Sequence, residues 1–293
     1  MKKPNFFIVG APKCGTTSLV AWLSEHPQIY MSPRKEPHHF NTDQNHIIIK
    51  ERKSYERLFH QATSAHVAVG EASTGYLYSR DAVRNIEHYS PNSRYIVCLR
   101  NPVEMAYSFH EQQIFNGNEH IRDFEHAWLL SEARSRGEHV SLWCREPRLL
   151  AYGDVCKLGA QMARLYTQIA DDRVLPVLLD DVKADPQSSY QRVLQFLQVE
   201  DDGRSDFPAK NPAKERQSML LHRIIQLLGH TRRIFGTGRT WGILSSLSRR
   251  NVKYRSRAPL SDEMRHTLKE YFREDILLLS EVLKRDLSHW VSP

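Results

Sequence analysis

The feature that most constrains this chain is the stretch of residues 6–18, where an apolar run leads into a loop bounded by two glycines. Gly10 closes the apolar run, Lys13 lies in the loop, and Gly15 ends it. Three hydroxyl residues follow and begin an amphipathic helix: Thr16, Thr17 and Ser18. The free N–H groups and the positive dipole end of such a helix point into the loop. The pattern therefore predicts a strand, a loop and a helix that bind an anion.

The spacing of this loop is close to that of a nucleotide-binding P-loop, G-x-x-x-x-G-K-[ST], but the lysine is in a different place. Thr16 stands after the second glycine, and the only lysine of the loop is Lys13. A nucleoside triphosphatase needs that lysine on the transferred phosphoryl group and a hydroxyl on Mg²⁺. The loop therefore favours an anion but a different chemistry, and an ordinary strand–helix turn is the alternative.

A second anion site is predicted at the end of the apolar strand 95–99. Arg100 ends this strand, and Pro102 begins the next helix. An arginine presents a fork of donors that matches phosphate oxygens. Ser108 lies about two helical turns further on and would meet the same phosphate only if the ligand lies along the helix.

Alternation of strands and helices predicts an α/β fold, a P-loop-like three-layer domain with a parallel central sheet and helices on both faces. We expect one domain over residues 1–293, with a core of about 4–200 and a basic flap with C-terminal helices over 201–293. Ligands of such sheets bind at the carboxyl ends of the strands.

Residues 12–17 resemble the phosphosulfate-binding loop of sulfotransferases that use 3'-phosphoadenosine 5'-phosphosulfate (PAPS), most of all the bacterial enzymes related to heparan sulfate sulfotransferases. The resemblance implies that Arg100 and Ser108 bind the 3'-phosphate. It also implies that the loop and the helix start bind the donor through Lys13, Cys14, Gly15, Thr16, Thr17 and Ser18.

The loop 32–40 contains a glutamate between a lysine and two histidines, which is either a general base or part of a solvated surface loop. Glu36 and His38 match the E-x-H-F-F pattern of the heparan-type sulfotransferases. The resemblance implies that Glu36 deprotonates the acceptor, with Lys13 and His38 as further catalytic residues. His38 would orient Glu36 or bind the sulfuryl oxygens. His39 replaces an aromatic residue of the pattern.

Two further segments resemble the family less closely. Residues 70–76 are similar to a G-E-x-S-P-x-Y segment with Ala72 in the place of a frequent lysine. Ser73 and Tyr76 are either acceptor contacts or turn residues. Residues 210–216 are similar to a basic segment that closes over the nucleotide, which makes Lys210 and Arg216 candidate donor contacts.

The net charge of +7 favours anionic ligands, without choosing among nucleotides, sugars, nucleic acid and membranes. Residues 230–257 carry eight arginines and lysines and no acidic residue. This basic segment is either a solvated, mobile flap or a collar for an anionic donor or acceptor.

Several features have ordinary explanations. The four cysteines show no C-x-x-C spacing, so we expect buried or half-buried free thiols. For the pair Asp180–Asp181 we expect helix capping or loop hydrogen bonds rather than a metal. The N-terminus leads straight into the first strand without a signal peptide or membrane span, which favours a cytoplasmic enzyme.

The sequence thus predicts a sulfotransferase that moves a sulfuryl group from PAPS to a hydroxyl or amine of a small-molecule or saccharide acceptor, with no metal and no nucleic-acid partner. Two alternatives stay open: a P-loop-like nucleotide kinase, and a non-catalytic binder of anionic glycans through the basic segment 230–257. The loops 32–46, 72–80, 111–122 and 230–257 are expected to build the acceptor pocket.

Overall fold

The computed structural model describes residues 2–141, 144, 146–208, 214–216, 252–254 and 259–292. These fall into two compact units. The first unit comprises Met1–Ala106, Gly153–Lys210 and Asp262–Pro293, and the second comprises Tyr107–Tyr152 and Asn211–Ser261. The single domain inferred from the sequence stays a prediction.

Five parallel strands form the sheet of the first unit. They are Phe6–Gly10 (β1), Ile29–Met31 (β2), Ala68–Ala72 (β3), Arg94–Leu99 (β4) and Val174–Leu178 (β5). Their order in the sheet is β2-β3-β1-β4-β5. Every residue of β1 and β3 is buried, as expected inside a parallel sheet, and the buried residues of β3 include one carboxylate, Glu71. The predicted α/β class with a parallel central sheet is confirmed.

The helices around this sheet and in the second unit are numbered in chain order. They are Thr16–Leu23 (α1), Arg52–Glu56 (α2), Ala82–Tyr89 (α3), Pro102–Asn116 (α4), Phe124–Leu129 (α5), Ser131–Ser135 (α6), Tyr152–Val155 (α7), Leu158–Tyr166 (α8), Leu179–Ala184 (α9), Pro186–Leu197 (α10) and Asp262–Leu283 (α11). Short 3₁₀ turns cover Arg57–Phe59, Pro147–Leu150, Asp171–Arg173 and Ser288–Trp290. Of the helices in the described ranges, none has the length and apolar character that crossing a bilayer requires.

Strand β1 occupies the middle of the sheet, and this position organises the site. Phe6 pairs with Gly70 of β3 on one side and with Arg94 of β4 on the other. All five strands run in parallel, so the segments that follow them leave the sheet at one edge. The loop after β1 therefore lies between the segment after β3 and Arg100 at the end of β4.

Asp275 of α11 fixes the start of α8. Its carboxylate accepts hydrogen bonds from the backbone N–H of Gly159 at 2.8 Å and of Ala160 at 2.9 Å. A carboxylate at a helix N-terminus satisfies donors that the helix itself leaves unpaired. The two helices also approach closely, since a Cβ on Gly159 would lie 2.1 Å from the carbonyl oxygen of Asp275.

We expect Gly159→Ala to destabilise the fold by about 1–3 kcal/mol, because the added methyl group would force the α8 and α11 backbones apart. In an open helix the same change would be stabilising. The midpoint of urea denaturation measures the effect. An unchanged midpoint would show that the two helices separate at no cost.

The second unit contains a fully buried ion pair. The Arg134 guanidinium lies 2.6 Å from one carboxylate oxygen of Glu119 and 3.1 Å from the other, and neither side chain is exposed. Tyr152 donates a hydrogen bond to the same carboxylate at 2.8 Å, and Ile121 donates its backbone N–H at 2.9 Å. The carboxylate thus has enough partners to remain charged in the interior.

Two sequence-based assignments need correction in the second unit. Lys214–Arg216 is a strand (β6) paired antiparallel with Val252–Tyr254 (β7), whereas residues 200–216 had the composition of a loop. Residues 121–136 have a helical sequence pattern, but the structure divides them into two short helices, α5 and α6. Apart from β7, the basic segment 230–257 lies outside the described residues.

The C-terminal part of the first unit packs largely as its sequence predicts. Trp290 is buried and donates its indole N–H to Asp180 at 2.8 Å, while Asp181 pairs with Arg285 at 2.5 Å. The acidic pair lies in the first turn of α9 and makes the hydrogen bonds expected of it. The spacing of Tyr271 in the sequence of α11 predicts a place on its buried face, but the side chain is 45% exposed.

Candidate functional site

The loop after β1 has the backbone of an anion-binding turn. Gly15 lies at a φ of 88°, and Lys13 lies at 66°, a left-handed conformation that is uncommon outside glycine. Gly10 allows the close approach of the next segment, because a Cβ there would lie 2.7 Å from that of Leu77. The loop is tied to the sheet by a hydrogen bond from Ala11 N–H to the Cys98 carbonyl at 2.7 Å.

The start of α1 leaves amides for a ligand. Gly15 is the N-cap residue, and among the described residues no side chain caps this helix. The N–H groups of Ser18 and Leu19 bond to the Gly15 carbonyl, as in any first turn. Thr16 is buried, while Thr17 and Ser18 are half-buried. This geometry suits an anionic group seated over the helix N-terminus.

Cys14 of the loop is structural rather than reactive. Its thiol is buried, lies 3.4 Å from the Pro12 carbonyl and contacts the sulfur of Met105 at 3.8 Å. Burial raises the pKa of the Cys14 thiol far above its ordinary value, so it stays protonated. All four cysteines are free thiols, as expected.

Arg100 joins the end of β4 to the loop. Its guanidinium donates to the Lys13 carbonyl at 3.3 Å and lies 3.6 Å from Glu104, the third residue of α4. Glu104 is shared with Arg265 of α11, at 2.8 Å. The structure therefore brings the two predicted anion contacts, Lys13 and Arg100, to adjacent positions.

The structure says less about the other residues predicted to contact the nucleotide. Ser108 is buried on α4 and belongs to the second unit. Lys210 lies outside the described residues. Arg216 is the last residue of β6, of which the backbone alone is described. Their predicted roles at the nucleotide stay predictions.

Glu36 lies on the loop after β2 and reaches the end of β3. Its backbone N–H bonds to the Ala72 carbonyl at 2.8 Å. One carboxylate oxygen accepts from Lys35 Nζ at 2.9 Å and from Thr74 Oγ1 at 3.3 Å, and the other lies 3.6 Å from His38 Nε2. The structure thus brings together Glu36 and His38, as the sequence pattern indicated.

The surroundings of Glu36 keep it ionised. Burial favours the neutral acid, but the neighbouring His38 ring and the charge of Lys35 outweigh it and lower the pKa of Glu36. Burial also lowers the pKa of His38, although the contact with Glu36 opposes this. At neutral pH the pair is therefore a carboxylate next to an uncharged imidazole.

His39 takes the place of the aromatic residue that the family pattern has there. Its ring stacks on Tyr55 with centroids 4.4 Å apart and planes 9° from parallel. Its Nδ1 makes a hydrogen bond of 2.7 Å with the Ile49 carbonyl. Phe40, the next residue, packs against Tyr55 and Tyr76. The loop is therefore anchored from below by an aromatic cluster.

Ser73 and Tyr76 lie in the interior. Neither side chain is exposed, and both donate hydrogen bonds to Glu71 of β3, at 2.9 Å and 2.7 Å. Their oxygens accept the backbone N–H groups of His38 and His39. Contact with an acceptor stays a prediction, and the structure gives the two residues a role in supporting the Glu36 loop.

A family model described as "Sulfotransferase domain" matches residues 3–211, more than two thirds of the chain. This chain belongs to the sulfotransferase family. The matched residues include the loop after β1, the Glu36 loop and Arg100.

One solved structure and two sequence relatives that resemble this chain are also sulfotransferases. A sulfotransferase from Alicyclobacillus acidocaldarius superposes over 100% of both chains with a TM-score of 0.75 and 26% identity. Carbohydrate sulfotransferase 15 of Mus musculus is 25% identical over 274 residues, covering 74% of this chain and 46% of that protein. Heparan sulfate glucosamine 3-O-sulfotransferase 6 of Homo sapiens is 31% identical over 111 residues, covering 38% of this chain and 31% of that protein. The chain thus matches less than half the length of these two carbohydrate and heparan sulfate sulfotransferases.

Three residues of this candidate site were not singled out from the sequence. Lys35 and Thr74 bind the Glu36 carboxylate, and Glu71 binds the hydroxyls beneath it. Lys35 stood next to Glu36 in the charged loop, so its ion pair was foreseeable. Glu71 was within the quoted family segment, but its burial depends on the sheet order, which no local pattern contains.

The described residues contain no group of three or more histidine, cysteine, aspartate or glutamate side chains arranged to hold a metal ion.

Proposed function

We propose that this sulfotransferase moves a sulfuryl group from PAPS to a hydroxyl of a carbohydrate acceptor, with Glu36 as the general base. The observation that carries the proposal is the meeting of three segments at one sheet edge. These segments are the Lys13 loop after β1, Arg100 after β4 and the Glu36 loop after β2. A hydrogen bond joins Arg100 to the Lys13 carbonyl, and another joins the Glu36 N–H to the Ala72 carbonyl at the end of β3.

The donor is bound by positive charge and backbone amides. We assign the 5'-phosphosulfate to Lys13 and the first turn of α1, whose N–H groups face an anion over the loop. Arg100, at the adjacent strand end, is assigned to the 3'-phosphate because a guanidinium binds phosphate oxygens in pairs.

The reaction is an in-line displacement at sulfur. The acceptor oxygen forms a bond to sulfur while the bond from sulfur to the 5'-phosphate oxygen breaks, and the acceptor proton passes to the Glu36 carboxylate. Negative charge grows on the leaving phosphate, where Lys13 and the α1 dipole stabilise it. The products are the sulfated acceptor and 3'-phosphoadenosine 5'-phosphate (PAP).

Lys35 restrains the base before the acceptor arrives. Its ammonium lies 2.9 Å from one oxygen of the Glu36 carboxylate, and it helps to lower the pKa of Glu36. A general base works best with a pKa near the working pH. The ion pair with Lys35 therefore makes Glu36 a weaker base than an unpaired glutamate.

A carbohydrate acceptor is proposed from the relatives, since their names specify carbohydrate and heparan sulfate glucosamine. Incubation with sulfur-labelled PAPS and a panel of oligosaccharides, phenols and lipids tests this proposal. Mass spectrometry should show an added sulfuryl group on an oligosaccharide. Transfer to a phenol or lipid alone would replace the acceptor class, and transfer to no acceptor would count against the activity.

Nucleotide preference separates this proposal from the kinase alternative. We expect PAP to raise the melting temperature strongly and ATP with Mg²⁺ weakly, because Thr16 stands where a kinase loop has its lysine. At 100 times its Kd a ligand adds about 2.7 kcal/mol to stability. Thermal unfolding with each nucleotide measures this, and a larger shift with ATP and Mg²⁺ would favour a kinase.

A further inference from the structure

Glu71 is a fully buried carboxylate that the reaction itself does not use. It lies on β3, beside the central strand, with no exposed surface. Three hydroxyl groups donate to it: Tyr76 at 2.7 Å, Ser73 at 2.9 Å and Tyr55 at 3.3 Å. Burial nevertheless outweighs these bonds and raises the pKa of Glu71 to about 7.

Two of these hydroxyls connect Glu71 to the loop of the proposed base. Ser73 Oγ accepts the backbone N–H of His38 at 3.1 Å, and the Tyr76 oxygen accepts that of His39 at 2.9 Å. A hydroxyl accepts in this direction only while its own proton points elsewhere. The ionised carboxylate takes both protons, and it therefore fixes the direction of both hydrogen-bond chains.

The loop needs this support because its backbone is strained. Glu36 has a φ of 59° and His38 a φ of 47°, both in the left-handed region that residues other than glycine rarely adopt. Such conformations persist where surrounding interactions hold them. The two hydrogen bonds from the Glu71 cluster are made at and directly after His38, the second of these strained positions.

We propose that Glu71 is a positioning residue whose ionised form orients Ser73 and Tyr76 to hold the Glu36 loop in its active conformation, and whose protonation releases the loop. The inference rests on the proposed function, in which Glu36 is the base. It goes beyond that function by making the buried cluster a proton-controlled support of the site.

Protonation of Glu71 would disrupt the hydrogen bonds that run from its carboxylate through Ser73 and Tyr76 to the Glu36 loop. A neutral carboxylic acid has one donor, and it would point to one of the two nearer hydroxyls, Tyr76 at 2.7 Å or Ser73 at 2.9 Å, in preference to Tyr55 at 3.3 Å. A hydroxyl of Ser73 or Tyr76 that accepts this proton must turn its own toward a backbone N–H or into a buried space. Either arrangement leaves a buried polar group without a partner.

The ionisable groups that face Glu71 are few. Tyr55 of α2 and Tyr76 both donate to it, and the Glu36 carboxylate on the loop after β2 raises its pKa slightly. Burial lowers the pKa of both His38 and His39, so these residues are uncharged where Glu71 titrates. Glu36 is ionised there as well. An activity change near pH 7 is therefore expected to follow Glu71.

The first test is Glu71→Gln, which imitates the protonated acid permanently. For the natural protein we expect kcat to fall as the pH falls through about 7. For the variant we expect a kcat about 10- to 100-fold below the natural plateau and no step near pH 7. The Kd for PAP, measured by calorimetry, should differ by less than about twofold between Glu71→Gln and the natural protein. A variant with the natural kcat, or with an unchanged step, would overturn the proposal.

Tyr55→Phe is the matched control. It removes a hydrogen bond to the same carboxylate but keeps the ring that stacks on His39, and Tyr55 makes no hydrogen bond to residues 36–39. That bond lowers the pKa of Glu71, so its loss should move the step to higher pH while the plateau kcat stays as in the natural protein. A lowered plateau would show that any change in the cluster damages the site.

Two measurements do not depend on activity. With ¹⁵N-histidine labelling, the amide signals of His38 and His39 should titrate near pH 7 in the natural protein and not in Glu71→Gln. At pH 8 the variant should melt no lower than the natural protein, because a raised folded-state pKa means that ionised Glu71 costs stability. Amide signals that do not titrate, or a variant that melts well below the natural protein, would contradict the positioning role. Amides that titrate without sulfuryl transfer would instead count against the proposed function.

Discussion

Replacement of Glu36 by glutamine is expected to lower kcat by about 10²- to 10⁴-fold, the usual contribution of a positioned general base. Glutamine keeps the shape and the hydrogen bonds from Lys35 and Thr74 but cannot take a proton. The Kd for PAP should change little, because the acceptor side of the site is affected and not the donor side. Single-turnover assays with PAPS and calorimetry with PAP measure the two quantities.

The control for this prediction is Glu51→Gln, which removes a carboxylate from an exposed position before α2. It lowers the negative charge of the protein by the same amount and should leave kcat near its natural value. If Glu36→Gln retained full turnover, Glu36 would not be the base, and the family assignment would stand without it.

Loss of the Arg100 side chain is expected to weaken PAP binding by about 10- to 100-fold, as befits a hydrogen bond to a charged group. The reason is the 3'-phosphate, which would lose its guanidinium partner. Adenosine 5'-phosphate lacks that group and should bind to the natural protein and to Arg100→Ala with similar affinity. Calorimetry with both nucleotides measures the difference.

Comparison of PAP with adenosine 5'-phosphate also tests whether the loss of Arg100 disturbs the loop that contains Lys13. Arg100 donates to the Lys13 carbonyl at 3.3 Å, so its removal could loosen the loop. A loosened loop would weaken both nucleotides alike, whereas a lost phosphate contact weakens PAP alone. Arg100→Lys keeps a positive charge and should give an intermediate affinity for PAP. An unchanged Kd for PAP in Arg100→Ala would remove Arg100 from the 3'-phosphate site.

The two buried or half-buried glutamates of this site have opposite electrostatic surroundings. Lys35 and His38 lower the pKa of Glu36, whereas burial among uncharged hydroxyls raises that of Glu71. Glu36, the proposed base, is therefore ionised at and below neutral pH, whereas Glu71, which supports its loop, changes charge near pH 7. As the pH falls, the activity of such an enzyme would first change where Glu71 takes up a proton, and only at lower pH where Glu36 does.

Much of the fold followed from local patterns. The apolar runs before Gly10 and over 95–99 are the strands β1 and β4, and the pair Asp185–Pro186 is typical of a helix start, where Asp185 caps the Ser188 N–H of α10. The patterns failed where pairing partners are distant in sequence. Lys214–Arg216 has no apolar alternation of its own, and it is a strand because Val252–Tyr254 pairs with it.

The sequence alone determined the loop chemistry of this protein: two glycines five residues apart, a lysine between them and hydroxyls at the helix start. These features act over a few residues, since φ angles, amides and helix dipoles are local. Tertiary structure decided what surrounds Glu36, because β3 lies between β2 and β1. That order brings Ser73, Tyr76 and Glu71 beneath a loop that lies 35 to 37 residues earlier in the chain, and burial there sets the charge of Glu71.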